Sequence, residues 1–534
     1  MTGEVNTWVA GSAGNWDVAE NWSLGHVPTA TEVATFDNTS DNNCAVNAAP
    51  DVYGMNLATG YDGTVTQGAV DIGIGAGGFS MADGTFTGDD AKSVTCAGNW
   101  DHTAGTLTTS KVNLVMTGEE ATVTHAGTNA FYSIRASAAI SITAETYANN
   151  IKVDAGKSIT IPTGKILYSQ RYTTTPALDI QGTIISAGTG YWYIYGYNSA
   201  TITVAGALQT NLVIARSGSG GTNSIVYSLG ANISTTGYLS ILSNHATKTC
   251  TLSHGTNYKI TVGGLVTLGT RGIMTQGTGA WAFNGGFTQS GASSVFTQGG
   301  AVTSGDVTIS DGTITGLETS TWTTTGSINQ SAGTMTTNKL CFVMSGTGKT
   351  IAIASTNNLY SLNVTGTANA TTDVKISNTL ATGANAVLSI ANTKTVTLTD
   401  GTLTNLGMIA GPGTFAYVRS GSAAAPMFGV ITAPFTISLA SGASARTVTL
   451  GGDTTIAGAL TISSADDDQA ITVDCAGKNL VANGVTVGTR GVILGGEGVI
   501  RNYGNLDTSA GTWTPETCQY IQAGAGTIKL AAGQ

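Results

Sequence analysis

Residues 104–118 read AGTLTTSKVNLVMTG, residues 332–346 read AGTMTTNKLCFVMSG, and residues 510–524 read AGTWTPETCQYIQAG. The first two lie 228 positions apart, and each of the three follows a related stretch: GNWDHT at 98–103, GSINQS at 326–331 and GNLDTS at 504–509. A second anchor, VTLGTRGIM at 266–274, returns as VTVGTRGVI at 485–493, an offset of 219. Between them, SAGTG at 186–190 aligns loosely with AGPGTF at 410–415. Ordered anchors at a nearly constant offset mean an internal duplication, and a repeat of this kind decides the architecture. One copy is expected over 75–302 and the next over 303–502. A partial third copy with a C-terminal cap follows over 503–534, and a separate acidic, Trp-rich module precedes them over 1–74.

Within each copy the apolar residues alternate over short runs, and Gly, Asn, Asp or Ser interrupts every five to ten residues. In VNLVM, Val112, Leu114 and Met116 share one face because side chains alternate across a strand; Leu340, Phe342 and Met344 occupy the matching positions. In the third copy these become Cys518, Tyr520 and Gln522, a loss of apolar character that suits a terminal cap. Units too small to bury a core alone must stack. The expected fold is all-β, a parallel β-solenoid (β-helix) with coils of about 20 residues. Roughly 20 to 23 such coils at about 4.8 Å each would make a rod on the order of 100 Å long. Tandem β-sandwiches of about 100 residues are the structural alternative.

Composition agrees with this reading. Only 21 basic and 31 acidic residues occur among 534, against 73 glycines and 89 threonines. Sustained helical periodicity is missing, which argues against an ordinary α/β enzyme. The 41% hydrophobic content argues against disorder. Twelve acids precede the first basic residue, Lys92, and the remaining chain carries 21 bases against 19 acids. With no basic stripe, nucleic acid is not an expected partner. Six cysteines without a C-x-x-C pair read as small buried core residues. The first residues show no basic n-region and no apolar h-region, so no signal peptide is seen, and no run approaches the ~20 apolar residues of a membrane span. Membrane insertion is not expected.

Residues 8–37 read WVAGSAGNWDVAENWSLGHVPTATEVATFD, with Trp8, Trp16 and Trp22 followed by Val27-Pro28 and Phe36-Asp37. This segment resembles the opening of repeat-rich parallel β-helical surface proteins of phages and bacteria. The AGT-hydrophobe-Thr-Thr units and Thr-Gly corners, as in SGTGKTI at 345–351, are similar to the repeats of autotransporter-like passengers. The resemblance implies a surface-exposed β-helix and no enzyme. Autotransporter passengers carry a signal peptide and a membrane barrel, which are not seen here, so a virion protein is favoured. On physical grounds the three Trp residues would cap the open end of the solenoid and hide its edge. A Trp platform for sugar rings is the functional alternative.

Little chemistry is visible. His26, His102, His125, His245 and His254 stand far apart without metal-ligand spacing and are expected at surfaces or corners. No catalytic residue, metal or cofactor is expected. Polysaccharide-cleaving β-helices use paired carboxylates, but Asp466-Asp467-Asp468, Glu119-Glu120 and Asp89-Asp90 sit beside turn residues and read as solvated corners. The best contact candidate is YWYIYGY at 191–197. Tyr191, Tyr193, Tyr195 and Tyr197 share one face at about 7 Å spacing, opposite Trp192 and Ile194. Such a stripe suits a subunit interface or a glycan. The functional expectation is a non-enzymatic structural protein on a virion surface or otherwise extracellular. It would serve as fibre, spike shaft or capsid decoration. It would be a homo-oligomer that meets other virion proteins and possible host-surface glycans. The alternatives are a polysaccharide-degrading tailspike (a depolymerase) and a bacterial adhesin or sheath protein.

Overall fold

A computed structural model describes residues 3–171, 178–196, 198–218, 223–254, 257–336, 339–421, 426–514 and 517–531. The chain divides into two compact units, Met1–Gly277 and Thr278–Gln534. Each is a parallel β-solenoid. Successive strands pair in parallel with the strand one coil later: Trp100–His102 with Ala121–His125 in the first unit, and Thr321–Thr324 with Cys341–Met344 in the second. Among the described residues the helical content is one short 3-10 turn, Ala19–Asn21. Sandwiches are built from antiparallel sheets, and the parallel ladders replace that alternative.

The alternation in sequence becomes inside and outside. Val112, Leu114 and Met116 are fully buried, as are Leu340, Phe342 and Met344 to within 1%. Each such side chain contributes about 1.5–3 kcal/mol by leaving water. At the third copy the pattern weakens as expected: the strand Gln519–Gln522 has no buried residue. Five cysteines are buried and Cys518 is half-buried.

Coil length is uneven. A short coil takes the chain from Ile134 to its partner Ile151, whereas a much longer one separates Leu212 from its partner Leu239. The paired rows stay in register through both. Coils also approach so closely that some corners admit only glycine. A Cβ on Gly206 would collide with the carbonyl oxygen of Gly182.

The AGT units prove to be one kind of corner used twice. Gly105 and Gly333 adopt φ of 80° and 78°, a left-handed conformation that favours glycine. Thr106 and Thr334 then donate their amides to the carbonyls of Gly84 and Gly312 at 2.8 Å. Outside, the Thr87 and Thr108 hydroxyls meet at 2.9 Å, and Thr336 donates to Thr315 at 3.1 Å.

Candidate functional site

The outward face around Tyr191–Gly196 is built by register. Trp192 and Ile194 are fully buried, and Trp192 donates its indole N–H to Ser169 Oγ at 2.8 Å. With the strand anchored from inside, Tyr191, Tyr193 and Tyr195 must face outward, where they are half-buried. Their rings contact one another: Tyr191 and Tyr193 have centroids 6.2 Å apart, and Tyr193 and Tyr195 stack at 5.1 Å. Tyr197 lies outside the described residues.

Coil-to-coil pairing widens the stripe into a patch. Tyr147 pairs with Tyr168, and Tyr168 pairs with Tyr193. Tyr147 and Tyr168 stack at 4.3 Å, and Tyr168 packs at 5.6 Å against both Tyr193 and Tyr195. Sequence reading missed Tyr147 and Tyr168, since the signal that joins them is register rather than local spacing. Polar groups rim the rings. Gln170 donates to Tyr195 Oη at 2.6 Å, Asn244 donates to Tyr193 Oη at 3.4 Å, and Tyr147 donates to Glu145 at 3.2 Å. Burial, followed by the Glu145 carboxylate, pushes the phenols of Tyr147 and Tyr191 above their ordinary range, and burial does the same for Tyr168. The phenols of Tyr147, Tyr168 and Tyr191 therefore stay un-ionised at neutral pH. An aromatic surface of this kind presents apolar ring area with hydroxyl and amide groups at its edge, which suits either a protein or a sugar.

The N-terminal tryptophans go inside. Trp8, Trp16 and Trp22 are 0%, 1% and 2% exposed. Trp22 sits edge-on to Trp8 at 5.1 Å and to Trp16 at 4.7 Å, with Phe36 5.7 Å away. Trp22 donates to the Trp16 carbonyl at 2.8 Å and Trp8 to the Asn42 carbonyl at 3.0 Å. The single antiparallel bridge among the described residues joins Trp8 to Trp22. A sugar platform needs exposed ring faces, so these rings serve as packing at this end.

The acidic groups hold corners. Asp466 accepts the amides of Asp468 and Gln469, both at 2.9 Å, and that of Gly442 at 2.8 Å. Those backbone N–H groups keep its carboxyl below the usual range. Glu119 takes the Ala139 amide at 2.9 Å and the Lys157 ammonium at 2.5 Å, and Asp89 takes the Ala91 amide at 2.9 Å. A hollow of about 460 Å³ beside Thr35, Asn56, Ser80 and Asp101 offers one carboxylate, Asp101, where glycoside cleavage uses two.

The histidines depart from expectation. His26 is exposed and bonded to Glu32 at 2.8 Å, and His245 is half-exposed. His102, His125 and His254, however, are buried at 2%, 2% and 8% exposure. Inward-facing positions accept them because ring nitrogens find partners there: His102 and His125 meet through their Nδ1 atoms, His125 Nε2 meets the Asn129 carbonyl, and His254 accepts the Gly277 amide.

No described helix is long and apolar enough to cross a membrane. Compared with known proteins, the chain matches no family model, no curated sequence and no solved structure.

Proposed function

We propose that the chain is a non-enzymatic structural protein of a phage surface, such as a fibre, spike shaft or capsid decoration, with the tyrosine face as its contact surface. One observation carries the reading: an acid of each dense acidic group, Asp466, Glu119 and Asp89, is engaged in a corner hydrogen bond to a backbone amide. The inward rows are apolar and buried, and the outer face presents a five-ring patch of Tyr147, Tyr168, Tyr191, Tyr193 and Tyr195. Self-assembly, contact with neighbouring virion proteins and contact with host glycans all draw on the same aromatic chemistry.

Imaging the protein in place distinguishes fibre from capsid decoration and from a bacterial sheath. Incubation with host capsule or lipopolysaccharide tests the enzyme alternative, because release of reducing ends would overturn a structural role. A Tyr193→Ala, Tyr195→Ala double variant should lose assembly or glycan binding. Should both survive, the tyrosine face is not the contact surface.

A further inference from the structure

His102 and His125 face each other inside the first unit on paired strands, one coil apart. Their Nδ1 atoms are 3.1 Å apart. The outer nitrogens meet carbonyls: His125 Nε2 lies 2.5 Å from the Asn129 oxygen, and His102 Nε2 lies 3.4 Å from the Gly105 oxygen.

Proton counting fixes the arrangement. Carbonyl oxygens only accept, so each Nε2 contact needs an N–H, and the Nδ1–Nδ1 contact needs one more. Three contacts require three protons, and two neutral imidazoles supply two. The distances identify the contact left short. The 2.5 Å bond marks His125 as the Nε2–H tautomer, leaving its Nδ1 to accept from His102 Nδ1–H. His102 Nε2 is then a lone pair facing the Gly105 carbonyl, and that contact is the long one at 3.4 Å.

The sister corner is an internal control. In the aligned stretches GNWDHT and GSINQS, His102 corresponds to Gln330, and Gly105 corresponds to Gly333. The Gln330 side-chain amide donates to the Gly333 carbonyl at 3.1 Å and to the Ala332 carbonyl at 3.0 Å. The same corner thus has a permanent donor in one unit and a longer, tautomer-dependent imidazole contact in the other. At 228 positions beyond His125 stands Ile353, so the second unit has no imidazole pair here.

We propose that His102 and His125 form a buried site for a single proton, which enters at His102 Nε2 and completes the hydrogen bond to Gly105. The dyad then holds three N–H groups for three acceptors. A second proton is held off to lower pH, because it would set N–H against N–H across 3.1 Å. Among the described residues no group of three or more His, Cys, Asp or Glu side chains gathers to hold a metal ion. Asp101, the next residue along the strand, is the carboxylate that acts on His102 and favours its charge. The neighbours Met81 and Phe131 are uncharged. Burial lowers both rings from the ordinary value, with His125 down to about 4.

Titration of the full chain labelled with 15N-histidine tests this. At neutral pH, His102 should carry its proton on Nδ1 and His125 on Nε2. On acidification the pair should titrate in two steps separated by more than about one pH unit. His102→Gln, which copies the sister corner, should abolish the first step and leave the fold intact. Reversed tautomers, one overlapping step for both rings, or no uptake before unfolding would each overturn the proposal. The wild-type spectra decide it even if the variant does not fold.

Discussion

Tyr147 and Tyr168 lie face to face across one coil, centroids 4.3 Å apart and ring planes 4° from parallel. Offset or stacked aromatic pairs add about 0.5–1.5 kcal/mol beyond their buried area. A double-mutant cycle with Tyr147→Ala and Tyr168→Ala, followed by urea unfolding, should return a coupling energy of that size. Additive losses would show that the rings are neighbours without mutual stabilisation.

The Trp22 indole touches Trp8, Trp16 and Phe36 and caps the Trp16 carbonyl. Trp22→Ala removes all of these at once and should cost about 3–5 kcal/mol. Tyr503→Ala, at a residue 45% exposed, should cost well under about 1 kcal/mol by comparison. Chemical denaturation followed by tryptophan fluorescence compares the two.

At Gly206 the preceding coil leaves no room. Gly206→Ala drives a methyl into the Gly182 carbonyl oxygen, and backbone must move to admit it. A loss of about 1–3 kcal/mol is expected. Gly156→Ala is the contrast, because open space surrounds the Cβ there and only the φ of 74° opposes it. A melting-temperature drop that is larger at position 156 would contradict the close-approach argument.

Acid should act in two windows. His102 and His125 have folded-state pKa values below the ordinary 6.5, because burial disfavours the charged ring. The unfolded chain takes up protons first, so stability falls from about pH 6.5 down through about 4. The carboxyls of Asp71 and Asp466 are held below their ordinary 3.8 by backbone amides of Ser93 and Asp468. Their contribution is present above 3.8 and is lost below it. Melting temperature against pH should show both declines, and a His102→Gln, His125→Ile variant should reduce the first, to which His245 also contributes, and leave the second.

Thiol chemistry should discriminate among the cysteines. Burial pushes Cys96 up to about 11 and Cys475 up to about 12, whereas Cys518 is half-buried. A native chain treated with a thiol-reactive probe should be modified first at Cys518. Mass spectrometry locates the label, and early modification of Cys96 would contradict the packing described.

The parallel stack was readable from the repeated AGT anchors, and the inward faces of Val112, Leu114, Met116, Trp192 and Ile194 followed from alternation. Lateral neighbours were not readable, for a physical reason. The coil from Tyr168 to Tyr193 is longer than the one from Tyr147 to Tyr168, so no fixed period predicts which residues meet. The same variation hid the pairing of His102 with His125. Its chemistry was nonetheless written in the repeat, where histidine stands opposite glutamine.

Uneven coil length has a practical consequence. The long turn from Leu212 to Leu239 and the short one from Ile134 to Ile151 are accommodated in the same unit with their paired rows intact. The bends between strands are therefore permissive sites for grafting foreign peptides, and the scaffold would display them at a spacing set by its own hydrogen-bond ladder.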